Sequence, residues 1–239
     1  IQCFSFRSIP YLSSRPEPAG GGTQWRLIVC LGIIAGLAPL SIDMYLPTFP
    51  TIQSEFGASA AMIQLTLSGY MAGFTLGQLI YGPVSDRFGR RCVLLSGVVL
   101  YVAMTVLCAT ADDAESLIAF RFFQAIGGGA GTVLVRAIIR DLYTGPAMAR
   151  VMSLTLTIIL FAPMIAPVIG GFLLDWVGWR AVFWALAIFG MLAICIVLFA
   201  LTETLPPEKR RPLGLRSLFR GYWAVLRHRQ ALGYILSGG

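Results

Sequence analysis

The sequence predicts an all-α membrane protein with six transmembrane helices and the start of a seventh. Three observations carry this. Hydrophobic residues (AVILMFWYC) make up 57% of the 239-residue chain and charged residues only 12%, about half the charged share of an ordinary soluble domain. Six apolar runs, at about 26–46, 61–82, 92–111, 117–139, 148–173 and 180–201, have the length a helix needs to cross a bilayer. No run alternates for long enough to suggest a membrane barrel. The same composition excludes a disordered chain, a coiled coil and a small disulfide scaffold. A soluble enzyme would need more surface charge than this.

In chain order, residues 1–24 are rich in Ser, Pro and Gly and are expected to be disordered. The first apolar run is too long for a signal-peptide core, and no small-residue cleavage site follows it, so it reads as an uncleaved helix. Residues 25–201 then form the six-helix transmembrane domain. Residues 202–229 read as a basic linker, within which 215–229 interleave bases with Leu, Phe and Trp as an amphipathic surface helix would. Residues 230–239 begin a truncated seventh helix. The chain opens on Ile1 and closes inside that run, so a longer parent protein is expected.

Charge sets the expected orientation. Sixteen of the 18 Lys and Arg residues fall on the side of the N-terminus, Arg180 falls opposite, and Arg121 lies inside a run. Bases collect on the cytoplasmic side, so the N-terminus is expected there. This sorting accounts for the net charge of +7 without a nucleic-acid partner. The five cysteines form no C-x-x-C pair, and neither a metal site nor a redox motif is expected. Trp25, Trp176, Trp179 and Trp184 sit near helix ends and read as interface anchors. His228 lies in the basic linker and reads as solvated. The single histidine, in a loop, leaves no catalytic cluster, so no enzyme activity is expected.

Four segments carry mechanism. The loop after the second run reads Gly82-Pro83-Val84-Ser85-Asp86-Arg87-Phe88-Gly89-Arg90-Arg91. Gly82 and Pro83 are expected to end a helix, and Gly89 to permit a tight turn. A simple positive anchor needs the arginines but not the Gly and Asp at this spacing. The fourth run holds Arg121 and Gln124 ahead of a glycine-rich stretch. An arginine at that depth faces a cavity or a carboxylate, or else snorkels. The fifth run holds Pro163, Pro167, Gly170 and Gly171, with two prolines that should bend the helix. The end of the first run holds Asp43 and Tyr45. Counting at about 1.5 Å per residue puts Arg121 about 6 Å from the far end of its helix and Asp43 at a similar depth. A pair between them is one arrangement, and an exposed capping aspartate is the other. Tyr45, Gln64, Tyr70, Gln78 and Gln124 are polar groups within spans and are candidates for a substrate cavity.

These segments resemble those of the major facilitator superfamily. The first is similar to its G-x-x-x-D-R-x-G-R-R/K loop signature, with Gly82, Asp86, Arg87, Gly89, Arg90 and Arg91 as the matching cytoplasmic-gate residues. Arg121 and Gln124 resemble the fourth-helix R-x-x-Q-G-x-G motif, with Ala125 in place of a glycine. Pro167, Gly170 and Gly171 resemble the antiporter motif G-x-x-x-G-P-x-x-G-G, with Ala162 and Ala166 in place of two glycines. The D-M-Y-L-P-x-x-P segment at Asp43 resembles the Bcr/CflA drug:proton antiporters. The resemblance implies proton-coupled multidrug efflux by alternating access, powered by the proton gradient with no cofactor. It implies Asp43 and Arg121 as the proton-coupling pair and a fifth helix that packs on the other half. The implied partners are the lipid bilayer, protons, an amphipathic or cationic drug-like substrate, and a missing C-terminal six-helix half. The implied location is the bacterial inner membrane. A proton symporter or metabolite transporter of the same fold, and a non-transporting half-size membrane protein, stay as alternatives.

Overall fold

A computed structural model describes residues 21–206 and Glu208. Residues 1–20, most of the basic linker with the expected surface helix and His228, and the start of the seventh helix lie outside the described residues. Within them the chain is helical: α1 (Gly21–Asp43), a 3-10 turn (Leu46–Thr48), α2 (Phe49–Phe56), α3 (Ala60–Phe88), α4 (Arg90–Ala109), α5 (Ala114–Leu142), α6 (Gly145–Val177) and α7 (Arg180–Phe199). The six expected spans are α1 and α3 to α7. The short α2 was not legible as a span because it has only 8 residues. Its limits follow from Pro50 at its start and Gly57 after its end, where the backbone turns left-handed at φ 59°.

Among the described residues, five helices are long and apolar enough to cross a membrane. The 29-residue α3 is long enough but more polar, because its uncovered side carries Gln64, Ser68, Thr75 and Gln78. Its buried side is a stripe of Ile63, Thr66, Tyr70, Gly73, Gly77, Tyr81 and Ser85 at helical spacing. Ser59 caps its start by accepting from the Met62 N–H at 3.3 Å, and Asp113 caps α5 by accepting from the Ser116 N–H at 2.7 Å.

The gate segment corrects the expectation at Gly82-Pro83. The helix does not stop there; α3 continues to Phe88 with Pro83 inside it. Loss of one backbone donor does not break a helix that packs along its whole length, and the Ser85 hydroxyl donates to the Gly82 carbonyl at 2.7 Å. The turn comes at Gly89, where φ is +97°, a conformation that disfavours any side chain.

At the centre of the bundle α5 packs on α3 and α4, with α1 alongside; α7 covers α4, and α6 covers α1. The α3–α5 seam is made by absence of side chains. A Cβ on Gly73 would strike the Phe122 carbonyl, and one on Gly77 would lie 2.7 Å from the Ile126 carbonyl oxygen. Small residues let helices approach this closely in lipid, where dispersion rather than water drives packing. The motif glycine Gly170 plays the same part at the turn that follows α1: a Cβ there would strike the Met44 carbonyl.

At the end far from the gate segment a clasp joins three connections. Glu55 of α2 accepts from Trp179 Nε1 at 2.7 Å and pairs with Arg180. Arg180 also donates to the Ala111 carbonyl at 3.1 Å, and its guanidinium carbon lies 4.2 Å from the centre of the Trp179 ring. Phe56 and Phe183 close on the same indole edge-to-face. Trp179 is therefore not an interface anchor. It is 2% exposed, because its indole N–H has a carboxylate partner inside the protein. Trp25, Trp176 and Trp184 are exposed.

Candidate functional site

Arg121 is fully buried, 0% exposed. Since α5 begins at Ala114, Arg121 lies about two turns inside the helix rather than one, too deep to snorkel. Its guanidinium carbon is 4.3 Å from the ring centres of both Tyr45 and Tyr70, and 5.8 Å from that of Phe183. Its Nη1 donates to Gln124 Oε1 at 2.8 Å, and the Gln124 amide donates in turn to Thr105 Oγ1 at 2.8 Å. Nε and Nη2 have no hydrogen-bond partner among the described residues. A buried cation is costly, and here ring faces and one amide offset the cost in place of a carboxylate.

The rings are themselves fixed. Thr66 donates to the Ile63 carbonyl at 2.5 Å, which leaves the Tyr45 hydroxyl to donate to Thr66 at 2.8 Å. Tyr70 donates to the Ala38 carbonyl at 3.3 Å. Ser41 donates to the Leu37 carbonyl at 2.7 Å, so Tyr101 donates to Ser41 at 2.7 Å. Three helices thus converge on the last turn of α1.

Asp43, the last residue of α1, is half-buried and makes no hydrogen bond or ion pair among the described residues. The expected Asp43–Arg121 pair is not formed in this state. Arg121 does lie level with the end of α1, but it is Tyr45, in the turn after that helix, that touches it, and Asp43 makes no contact with it. Of the cavity candidates, Tyr45, Tyr70 and Gln124 come together around Arg121. Gln64 and Gln78 do not; both are exposed on the uncovered side of α3.

In α6 the helix runs unbroken through Pro163 and Pro167. The small residues of the motif face α1: Ala166 and Gly170 are buried, while Pro163 is exposed, Pro167 is half-buried and Gly171 meets nothing within 4 Å. The uncovered side of α6 carries Leu160, Phe161, Met164, Val168 and Phe172.

At the gate segment Arg90 is the hub. It is 4% exposed and reaches Asp86 at 2.7 Å, Asp141 at 3.1 Å and the Ser85 hydroxyl. Its backbone N–H, the first of α4, donates to Glu203 Oε1 at 2.8 Å, and the same oxygen accepts from the N–H groups of Thr204 and Leu205 at 3.1 Å. Arg91 donates to the Val197 and Leu198 carbonyls at 3.2 and 2.6 Å and so caps the end of α7. Arg87 is exposed and lies against the Phe88 ring at 5.2 Å. Asp141 and Glu203 escaped sequence reasoning. They stand 51 and 113 residues from Arg90, so no local spacing flags them.

The sequence matches the Major Facilitator Superfamily over residues 31–239. It is 41% identical to the uncharacterized MFS-type transporter YdgK of Bacillus subtilis, over 92% of this chain and 55% of that protein. It is 34% identical to the bicyclomycin resistance protein homolog of Haemophilus influenzae, over 88% and 53%. It is 35% identical to the multidrug resistance protein MdtL of Escherichia coli, over 76% and 46%. The chain spans about half the length of the curated relatives it matches. Among solved structures, the human organic anion transporter MFSD10 superposes with a TM-score of 0.68 at 20% identity, over 85% of this chain and 53% of that one. A bacterial homolog of the lysosomal transporter Spinster does so with a TM-score of 0.68 at 21% identity, over 87% and 49%. With the motif residues clustered as described and most of its length matched, this multi-pass membrane chain belongs to the major facilitator superfamily, and its described helices form the six-helix N-terminal half of that fold.

Proposed function

We propose that the complete transporter exports amphipathic or cationic drug-like molecules in exchange for protons. This chain supplies the first half, with its N-terminus in the cytoplasm of a bacterial inner membrane, and a second six-helix half closes the substrate path. The observation that carries the reading is Arg121, a fully buried cation with two unsatisfied nitrogens and no carboxylate, beside the helix end that bears an unpaired Asp43. The resistance-protein names of two relatives support the substrate class.

In this mechanism Asp43 carries the proton. When charged it is drawn to the open nitrogens of Arg121; when protonated it releases them to the Tyr45 and Tyr70 rings. Such exchange between a buried cation's partners gives two discrete states for the proton gradient to bias. The Arg90 hub with Asp86 and Asp141 holds the cytoplasmic ends of α3, α4 and α5 together, and the uncovered face of α6 packs on the second half.

The test is ethidium retention in an efflux-deficient bacterium that expresses the complete gene, with and without a protonophore. The expected result is efflux that stops with the protonophore and is absent in Asp43→Asn at normal expression. Efflux by Asp43→Asn that keeps its protonophore sensitivity would remove Asp43 from the mechanism.

A further inference from the structure

Two arginines at the gate end have no task in the mechanism above. Arg136 and Arg140 lie one turn apart on α5. Both are exposed, and neither makes a hydrogen bond or ion pair among the described residues. Together with Arg90 at the start of α4 they line a cavity of about 280 Å³ between α3, α5 and α6. Asp86 stands in its wall, but that carboxylate is already engaged by Arg90 at 2.7 Å. The rest of the wall includes Val133, Met148 and Met152, which are apolar.

We propose that this cavity is a binding site for a phosphate group, with Arg136 and Arg140 as its two forks. Residues four apart on a helix share a face about 6 Å apart along the axis, so both guanidiniums reach one anion. The cavity wall carries three arginines, Arg90, Arg136 and Arg140, against one carboxylate, Asp86, and this positive surplus favours an anion between the two unpaired guanidiniums. Guanidinium forks match phosphate oxygens in pairs. The position differs from that of Arg87 and Arg150, which are also exposed but do not line this cavity. A basic pocket between helices with an apolar wall suits the headgroup of an anionic phospholipid, whose chains lie against the methionines. Free phosphate shares the same chemistry.

The experiment uses the complete transporter, purified in neutral detergent. Its unfolding midpoint is measured with phosphatidylglycerol, with phosphatidylcholine, and with inorganic phosphate against chloride at equal ionic strength. Wild type is compared with Arg136→Gln/Arg140→Gln. A rise with phosphatidylglycerol alone, lost in the double variant, identifies a lipid headgroup site. A rise with phosphate as well identifies a site for the free anion. No rise with either, or a rise that persists in the double variant, overturns the proposal. Should the glutamine variant fail to fold, Arg136→Lys/Arg140→Lys decides. It keeps both charges but loses the forks, and about tenfold weaker retention of phosphatidylglycerol is expected in native mass spectrometry. Undiminished retention overturns the site. None of these readings depends on transport.

Discussion

The Arg121 guanidinium carbon lies 4.3 Å from the centre of the Tyr45 ring, and the Tyr45 hydroxyl is tied to Thr66 at 2.8 Å. One residue therefore does two separable things. Tyr45→Phe keeps the ring and removes one neutral hydrogen bond, at a cost of about 1 kcal/mol. Tyr45→Leu removes the ring face as well and leaves a buried cation with less to offset it, adding about 2 kcal/mol. Denaturant unfolding in micelles separates the two. Equal losses would mean that the ring face contributes nothing.

Glu203 supplies the cap for α4, whose first N–H has no partner within its own helix. Glu203→Ala is expected to cost about 1–2 kcal/mol and to loosen the segment after α7 from the start of α4. Hydrogen exchange reads both effects, as faster exchange at the first turn of α4 and at Thr204 and Leu205. Unchanged protection at α4 would show that the cap is dispensable.

Arg90 has two carboxylate partners in unequal surroundings: the Asp141 side chain is 19% exposed and that of Asp86 is 44%. Solvent screens the second pair more than the first. Asp141→Asn is therefore expected to destabilise the protein more than Asp86→Asn, by about 1 kcal/mol. The reverse order in thermal unfolding would count against Asp141 as the main partner.

Glu55 lies on α2, beyond the end of the first span. Its hydrogen bonds from Arg180 and then Trp179 hold its carboxyl below the usual carboxylate range. A group whose pKa is lowered on folding adds stability above its unfolded value and loses it as pH falls through the folded value. The clasp is thus intact at neutral pH and opens only below the ordinary carboxylate range. Trp179 fluorescence in the wild type should change only as pH falls below that range. In Glu55→Gln the change should vanish, because no charge remains to titrate.

Most of the fold was legible because apolar length is a property of one segment at a time. The six spans and the turn at Gly89 followed from counting along a helix, while Arg121 proved about one turn deeper than the count put it. The partners of Arg121 and Arg90 were not legible in that way. Facing is set by how helices rotate against each other, so Tyr45 rather than Asp43 meets Arg121, and Asp141 and Glu203 meet Arg90 across long separations. Pro83 misled because its punctuating effect is local, while the packing that carries α3 past it is not. Trp179 misled because position near a helix end says nothing about a carboxylate on α2.

The contact of Gly73 and Gly77 with the Phe122 and Ile126 carbonyls has a mechanical meaning. Where side chains separate two helices, each can shift while rotamers absorb the difference. At Gly73 and Gly77 main chain lies on main chain, so over that turn no side chain stands between α3 and α5. The two helices form one stiff beam. Arg121 is carried near one end of it and Asp86 near the other, about 20 Å apart by the rise of α3 from Gly73. A displacement at either site is therefore expected to be felt at the other, because the tight turn at Gly73 and Gly77 has no side chain that can give way.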